Sequence, residues 1–362
     1  MIVFLDHGLS RAYKYLPIEN SYLKRFLTVI STGETGVSIF FVLSGFLITY
    51  LLITEYEANK KINLKHFYIR RVLRIWPLYF AVVVFSFTLY AVLNKLMATP
   101  ETHAHILYYL TFLSNFDVIH AITYHPGSGA IAQQVTWSVS IEEQFYLFWP
   151  LIFVFLPYRF WLYAIVTLIA TAITFRIVNY ANHTVLYFHT FSVLLYLSMG
   201  GLFAYLSKTK QKFHSFFQAS STKTHLLGIL VSFSLLFFKD TLFNFKYGEA
   251  ISGLFISTSF AFFICAQALT NSNSFLNLGN LSFANRWGKY TYGIYLIHPI
   301  VLTILSSVVK WVLFPNENSK GIFLVAAIGF VLTLLISYIS YTYFEMMFLK
   351  LKDKFSVIKS HT

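Results

Sequence analysis

Charged side chains are scarce in this chain. Of its 362 residues, only 11% are charged, whereas 57% are hydrophobic and 20% are aromatic. A soluble domain carries roughly 25% charged residues, and its surface needs a polar cover that this composition does not supply. The shortage of charge excludes an ordinary soluble protein. The lipid bilayer must be the solvent for most of the chain.

Cysteine and acidic residues are also few. The one cysteine, Cys265, excludes an internal disulfide and a CxxC metal site. Four histidines in one long polar stretch match no common ligand spacing, so we expect no bound metal; they are His103, His105, His120 and His125. The net charge of +13 indicates basic cytoplasmic loops that lie near anionic lipid headgroups, rather than a protein that binds nucleic acid.

Long apolar runs fill the rest of the chain. A helix needs about 20 apolar residues to cross the hydrocarbon core. Such runs fall near residues 36–54, 75–94, 145–157, 160–178, 190–207, 225–239, 249–269, 290–313 and 321–344. Residues 1–9 resemble the end of one more membrane helix. The pattern predicts an all-α polytopic membrane protein of about ten transmembrane helices, with a first helix that is truncated at its N-terminus.

The distribution of lysine and arginine predicts the orientation. When the 55–74 loop is placed inside, the inside segments hold most of these residues, which is the bias of cytoplasmic loops. Both termini are then cytoplasmic. We expect one membrane domain over residues 1–349, followed by a basic cytoplasmic tail over residues 350–362, in a multi-pass protein of the cell membrane.

Three arginines precede one of the apolar runs, in FYIRRVLRIWPLY at residues 67–79. On a helix, Arg74 would share a face with Arg70 or with Arg71, because these residues are four and three positions apart. An arginine binds phosphate oxygens through a two-pronged guanidinium that lysine lacks. The alternative is anchoring at the membrane surface, although three nearby lysines already supply charge for that role.

Two adjacent carboxylates lie at the start of another apolar run, in WSVSIEEQFYLFWP at residues 137–150. Glu142 and Glu143 would be costly at membrane depth, and ionisable groups in that position indicate function. Tyr146 follows Glu142 by four residues and would share its helix face. The alternative is an interfacial belt of aromatic residues with two solvated carboxylates.

Two histidines and a late glutamate are further candidates. His7 lies in FLDHGL, and a neutral imidazole is the commonest general base; Asp6 or another carboxylate could orient it. His298 lies in GKYTYGIYLIHPIV, before Pro299, which would free a main-chain carbonyl. Glu345 lies in SYTYFEMMF. The alternatives are a capping role for His7, a structural role for His298 and an ion pair for Glu345.

Four segments of the chain, in their order along the sequence, resemble motifs of the integral-membrane acyltransferase family 3, the O-acetyltransferases that modify bacterial cell-surface glycans. GETGVSIFFVLSGFLIT at residues 33–49 resembles the family's Gly-rich second-helix motif, and RRVLRIWPLY resembles its Arg-rich motif. WSVSIEEQFYLFWP resembles its Trp-Ser-to-Glu-Phe-Tyr motif, and YGIYLIHP its late histidine motif. The resemblance covers nearly the whole chain.

The resemblance implies an enzyme that moves an acyl group, acetyl by default, from acyl-CoA to a hydroxyl of a cell-surface or exported carbohydrate. Acetyl-CoA is then a co-substrate, no cofactor is permanently bound, and the protein lies in the bacterial inner membrane. By position, the implied catalytic residues are His7, Glu142 and Glu143. The implied CoA-binding residues are Arg70, Arg71 and Arg74, and the implied substrate-binding residues are Trp137, Ser138, Tyr146, His298 and Glu345.

Two other functions fit parts of the pattern. A transporter or flippase of a lipid-linked sugar would use the arginines to hold pyrophosphate, and it would not require acyl-CoA. A polyprenyl-phosphate-dependent glycosyltransferase would place a catalytic acid in the first outer loop, where no paired-carboxylate motif is found.

Overall fold

The computed structural model describes residues 2–9, 33–97, 103–126, 132–219, 221–270, 277–312 and 319–355. These ranges form helices joined by short turns and contain no β-strand. The α-helices are α1 (Ile2–Leu9), α2 (Gly33–Asn59), α3 (Leu64–Met97), α4 (Ile106–Leu110), α5 (Ser114–Tyr124), α6 (Trp137–Phe155), α7 (Trp161–Val178), α8 (His183–Phe188), α9 (Thr190–Thr209), α10 (Gln211–Gln218), α11 (Thr222–Phe237), α12 (Lys239–Leu242), α13 (Gly248–Leu269), α14 (Ser282–Gly288), α15 (Thr291–Val312), α16 (Ser319–Ile339) and α17 (Met346–Lys352). Short 3₁₀ turns lie at Ala132–Thr136, Tyr158–Phe160, Leu278–Asn280 and Asp353–Phe355, and a π-helical turn lies at Ser340–Glu345.

Seven helical segments of the described chain are long and apolar enough to cross a membrane. They are Gly33–Asn59, Leu64–Leu96, Tyr158–Val178, Thr190–Thr209, Gly248–Leu269, Thr291–Val308 and Phe323–Lys352. The prediction of an all-α, multi-pass membrane protein is thereby confirmed. Of the other predicted spans, 145–157 falls largely in α6, 225–239 overlaps the shorter apolar helix α11, and 1–9 corresponds to α1.

The sequence of α16 shows how these helices divide between lipid and protein. Four of its residues at intervals of four are buried, namely Val325, Gly329, Thr333 and Ser337. Three others at the same interval are more than half exposed, namely Val331, Leu335 and Ile339. Residues four apart lie on one face of an α-helix. Gly329, Thr333 and Ser337 thus give the buried face small and polar residues, which allow close helix packing, whereas the exposed face carries branched apolar ones.

The chain divides into two compact units. The first unit comprises Met1–Gly36, Asn63–Ser140 and Lys289–Thr362, and the second comprises Val37–Ile62 and Ile141–Gly288. Helices α2 and α6 each begin in the first unit and continue into the second. The predicted basic tail belongs to the first unit, and it is described only as far as residue 355.

The core of the first unit holds α1 against α15 and α16. Phe4 of α1 is buried together with Leu302 of α15 and Val325 of α16, and Leu305 and Phe330 complete the cluster. The rings of Phe4 and Phe330 meet edge to face with centroids 5.3 Å apart. Such a ring pair adds about 0.5–1.5 kcal/mol to the gain from burial. This packing brings the short helix α1 to the face of α15.

In the second unit, α2 and α9 approach until their backbones touch. A Cβ atom on Gly45 would overlap the main-chain oxygen of Leu197, and one on Gly200 would overlap that of Val42. Close approach through glycine is a common way of packing membrane helices. Nearby, the indole N–H of Trp149 donates to Thr49 Oγ1 at 2.8 Å, which attaches α6 to α2.

Candidate active site

One face of α15 carries three side chains that reach different parts of the first unit. Tyr292, Tyr295 and His298 follow at intervals of three residues, and side chains three apart share a helix face. The hydroxyl of Tyr292 donates to the main-chain oxygen of Ile75 at 2.9 Å. Since Ile75 directly follows Arg74, this bond fixes α15 against α3 at the arginine motif.

Tyr295 joins α15 to the beginning of α6. Its hydroxyl donates to the main-chain oxygen of Val135 at 2.8 Å. The phenolic oxygen then accepts the hydroxyl proton of Ser138, whose Oγ is 2.7 Å away. Ser138 and Trp137 are both buried. These two predicted substrate-binding residues are therefore part of the packing beside α15.

His7 and His298 form a hydrogen-bonded pair. Nδ1 of His7 lies 2.9 Å from Nε2 of His298, although 291 positions separate the two residues in the chain. His298 is only 1% exposed, whereas His7 is exposed. The structure thus brings together a predicted catalytic residue and a predicted substrate-binding residue, and His7 is the one that a second molecule can reach.

Asp6 does not take the orienting role that the sequence left open for it. Its carboxylate accepts a hydrogen bond from the main-chain N–H of Gly33. Gly33 is the first residue of α2, and a carboxylate at that end satisfies a free N–H and complements the helix dipole. Asp6 therefore attaches α1 to the start of α2, and His298 is the side chain that bonds His7.

The three arginines of the motif have three different environments. Arg70 is half-buried, and its Nη1 donates at 2.7 Å to the main-chain oxygen of Phe355. Arg71 is also half-buried, with its guanidinium carbon 5.6 Å from the ring centroid of Phe67. Arg74 is exposed. The sequence grouped the three as one CoA-binding set, and in the structure Arg74 is the most accessible of them.

Glu345 is buried at the end of the π-helical turn. Its Oε1 accepts a hydrogen bond from the hydroxyl of Ser340 at 3.1 Å. It also faces Gly293 of α15, where a Cβ atom would stand only 3.4 Å from Oε1. The charge of Arg74 acts on the same carboxyl group. Since π-helical turns are frequent at functional sites, this corner of the first unit is a candidate for substrate contact.

The acidic pair and Tyr146 belong to the second unit. Glu142 is buried and Glu143 is half-buried on α6. One turn further, the hydroxyl of Tyr146 forms a hydrogen bond with that of Ser44 on α2. Tyr146 thus faces the helix that carries the Gly-rich segment.

Two levels along α15 organise the candidate site of the first unit. Tyr292 marks the level of Arg74 and Glu345, and His298 marks the level of His7. Tyr292 and His298 are six positions apart, which corresponds to an axial rise of about 9 Å. The cationic group of Arg74 on α3 and the accessible imidazole of His7 on α1 therefore lie at different heights beside α15, as a long substrate with a charged end and a reactive end would require.

The sequence reading did not single out Tyr292 or Tyr295. Their interval of three residues with His298 was the available signal, because it places all three on one helix face. Aromatic residues at such spacing are usually ordinary packing residues. The bonds to Ile75 and Val135 distinguish them here.

Three of the loop histidines cluster in the described part of the 95–144 stretch. The rings of His103 and His125 stack with centroids 3.7 Å apart, and His120 lies 5.5 Å from His125. Partial burial, together with the charges that His103 and His120 can carry, lowers the pKa of His125. Among the described residues, no group of three histidine, cysteine or acidic side chains is arranged to hold a metal ion.

Comparison with known proteins gives consistent matches. The family model of the acyltransferase domain matches residues 1–342. O-acetyltransferase OatA of Staphylococcus aureus is 31% identical over 308 residues, which are 78% of this chain and 48% of that protein. YrhL of Bacillus subtilis is 27% identical over 334 residues, 86% of this chain and 50% of that protein.

A further relative matches a shorter segment. Peptidoglycan O-acetyltransferase OatA of Listeria monocytogenes is 37% identical over 120 residues, 33% of this chain and 19% of that protein. The chain spans about half the length of the Staphylococcus and Bacillus relatives. No solved structure matches it.

Proposed function

The chain belongs to the integral-membrane acyltransferase family 3, and from that premise we propose that it transfers an acetyl group from acetyl-CoA to a hydroxyl of a cell-wall carbohydrate. The family match confirms the resemblance read from the four motifs. The observation that carries the proposal is the pair of levels on α15, with Arg74 and Glu345 at one and His7 at the other.

The charged end of the donor would be held at the level of the arginines. A guanidinium binds phosphate through two parallel N–H donors, and Arg74 is exposed for such contact. Coenzyme A carries its phosphates at one end and its thioester at the end of the pantetheine arm. That arm, when extended, is longer than the rise of about 9 Å between the two levels of α15. The thioester would therefore reach His7.

His7 would act as the general base. Its imidazole takes the proton of the acceptor hydroxyl while the oxygen attacks the thioester carbonyl carbon. The C–S bond then breaks, the acetyl group stays on the sugar oxygen as an ester, and the CoA thiolate takes the proton back from the imidazolium. General base catalysis of this kind contributes about 10²- to 10⁴-fold to the rate.

The names of the relatives suggest the first acceptor to examine. OatA of Listeria is named for peptidoglycan, so soluble peptidoglycan fragments are the natural starting material. Glu142 and Glu143 stay predicted catalytic carboxylates, as the family motif implies. A buried carboxylate such as Glu142 would suit binding of sugar hydroxyls.

The test uses the purified chain in liposomes, with acetyl-CoA labelled in the acetyl group and peptidoglycan fragments as acceptor. We expect base-labile label on the glycan and release of free CoA thiol. His7→Ala should lower kcat by about 10²- to 10⁴-fold, and Arg74→Ala should raise the KM for acetyl-CoA. His183→Ala is the matched control, because His183 is an exposed histidine of the second unit.

The two outcomes are clearly separated. If acetyl-CoA neither binds nor reacts, and His7→Ala behaves like His183→Ala, the proposed function is wrong. A flippase would instead move a lipid-linked sugar across the same liposomes without acetyl-CoA.

A further inference from the structure

The orientation of His298 is set by main-chain carbonyls of its own helix. Its Nδ1 lies 3.0 Å from the oxygen of Ile294, one turn earlier. The carbonyl of Tyr295 also bonds the ring, and Pro299 leaves that carbonyl without its usual helical donor. Carbonyl oxygens only accept hydrogen bonds, so Nδ1 of His298 carries the proton.

The neutral form of this ring then has its lone pair on Nε2. Burial of a charge away from water is costly, and His298 is almost completely buried. The ring of Phe4 lies 6.0 Å from it at 58°, and that of Tyr295 lies 6.0 Å from it at 52°. These neighbours fix the plane of the imidazole and keep water from its faces. His298 therefore presents a fixed acceptor atom.

That acceptor points at His7. The two imidazole planes differ by only 22°, with centroids 5.1 Å apart. The centroid separation exceeds the 2.9 Å nitrogen–nitrogen distance by about two ring radii. The hydrogen bond therefore runs close to the planes of both rings, along the lone-pair direction that acceptors prefer. Since His298 Nε2 accepts, His7 Nδ1 must donate.

We propose that His298 is a positioning residue that fixes the tautomer of His7, with the proton on Nδ1 and the basic lone pair on Nε2. When His7 takes a proton on Nε2, its Nδ1–H still donates to His298, so the same bond stabilises the imidazolium. The buried ring of His298 does not receive the proton. A base held in the wrong tautomer has no lone pair at the reacting hydroxyl, which is why orienting partners have large effects on histidine catalysis. The inference rests on the proposed function for its consequence, but the tautomer itself can be measured without any substrate.

The first measurement is the ¹⁵N NMR spectrum of the reconstituted chain with labelled histidine. The chain has 12 histidines, and a difference spectrum against His7→Gln assigns His7. We expect Nδ1 of His7 to show the shift of a protonated nitrogen and Nε2 that of an unprotonated one. The opposite assignment in the unmodified protein overturns the inference directly, whether or not a His298 variant folds.

Two substitutions at His298 separate positioning from packing. His298→Gln keeps an oxygen acceptor near the place of Nε2, whereas His298→Leu keeps bulk and removes the acceptor. We expect the Nδ1–H tautomer of His7 to persist with Gln and to give way to the Nε2–H tautomer with Leu. His225→Leu is the control, because His225 is equally buried and its Nε2 bonds the main-chain oxygen of Ala266.

Activity gives a second readout. His298→Leu should lower kcat by about 10²- to 10⁴-fold with the KM for acetyl-CoA unchanged, and His298→Gln should recover most of that loss. If Gln and Leu lose kcat equally while both fold, or if Leu leaves the tautomer unchanged, His298 does not position His7. If the tautomer behaves as expected in every variant and no acetyl transfer is found, the proposed function fails and the positioning role stands.

Discussion

The phenol of Tyr292 is bonded to the main-chain oxygen of Ile75, 217 positions away in the chain, at 2.9 Å. This bond fixes α15 beside the residue that follows Arg74. Tyr292→Phe removes the hydroxyl alone. A neutral hydrogen bond is worth about 0.5–1.5 kcal/mol, so we expect the KM for acetyl-CoA to rise about 2- to 10-fold, because the arginine level loses part of its support.

The control for that change is Tyr163→Phe, since Tyr163 is 68% exposed on α7. Steady-state kinetics at fixed glycan concentration compares the two variants. If both keep the original KM, the bond to Ile75 has no part in holding the donor site.

Arg74 and Arg70 should respond differently to lysine. Arg70 donates to the main-chain oxygen of Phe355, a bond that a lysine can also make, so Arg70→Lys should leave the KM for acetyl-CoA within about 2-fold. Arg74→Lys loses the two-pronged geometry for phosphate, and with a charge-assisted bond worth about 1.5–3 kcal/mol we expect a rise of about 10-fold or more. Lys61→Ala, which removes an exposed charge, controls for surface attraction. An unchanged KM in Arg74→Lys would favour simple anchoring.

The glycine contact between α2 and α9 predicts a loss of stability. A methyl group on Gly45 or Gly200 would overlap a main-chain oxygen, and neither backbone can move without shifting a helix. Overpacking typically costs about 1–3 kcal/mol. Gly45→Ala and Gly200→Ala should therefore lower the melting temperature in detergent. Gly228→Ala is the matched control, because a Cβ atom there meets only ring atoms at 3.5 Å or more.

Arg176 predicts a second loss of stability in the second unit. This buried side chain donates to the main-chain oxygens of Ala250 at 2.8 Å, Glu249 at 3.1 Å and Leu186 at 3.2 Å, and to the hydroxyl of Ser192 at 2.7 Å. Arg176→Lys, with three N–H donors, cannot make all four bonds. With about 1.5–3 kcal/mol for each charge-assisted bond, we expect the free energy of unfolding to fall by about 3 kcal/mol. The same substitution at the exposed Arg159 should change it little, and equal effects at both positions would contradict the role of Arg176.

The sequence predicted the membrane helices well because apolar runs carry that information directly. The helix ends were harder. The run 36–54 lies inside the longer helix α2, Gly33–Asn59, because residues such as Glu55 and Glu57 favour a helix without being apolar. A search for apolar residues therefore ends before the helix does.

The candidate site was predicted as a set of residues and not as a geometry. The motifs named His7, His298, Arg74 and Glu345, but no periodicity relates positions that are hundreds of residues apart. The sequence offered Asp6 as the orienting partner of His7, since it is the neighbouring carboxylate. The structure assigns that contact to His298, because tertiary packing of α1 on α15 decides which side chains meet.

The π-helical turn at Ser340–Glu345 affects how the last membrane helix tolerates the loss of a residue. Such a turn accommodates one residue more than an α-helical turn would, and each residue rotates the helix by about 100°. Deletion of a single residue from this turn would therefore leave an ordinary α-helical turn, and α17 would keep its orientation. The same deletion in the α-helical part of Phe323–Lys352 would rotate everything beyond it, including Phe355, which bonds Arg70. A one-residue deletion within the π-helical turn should thus be less harmful than one elsewhere in this last span.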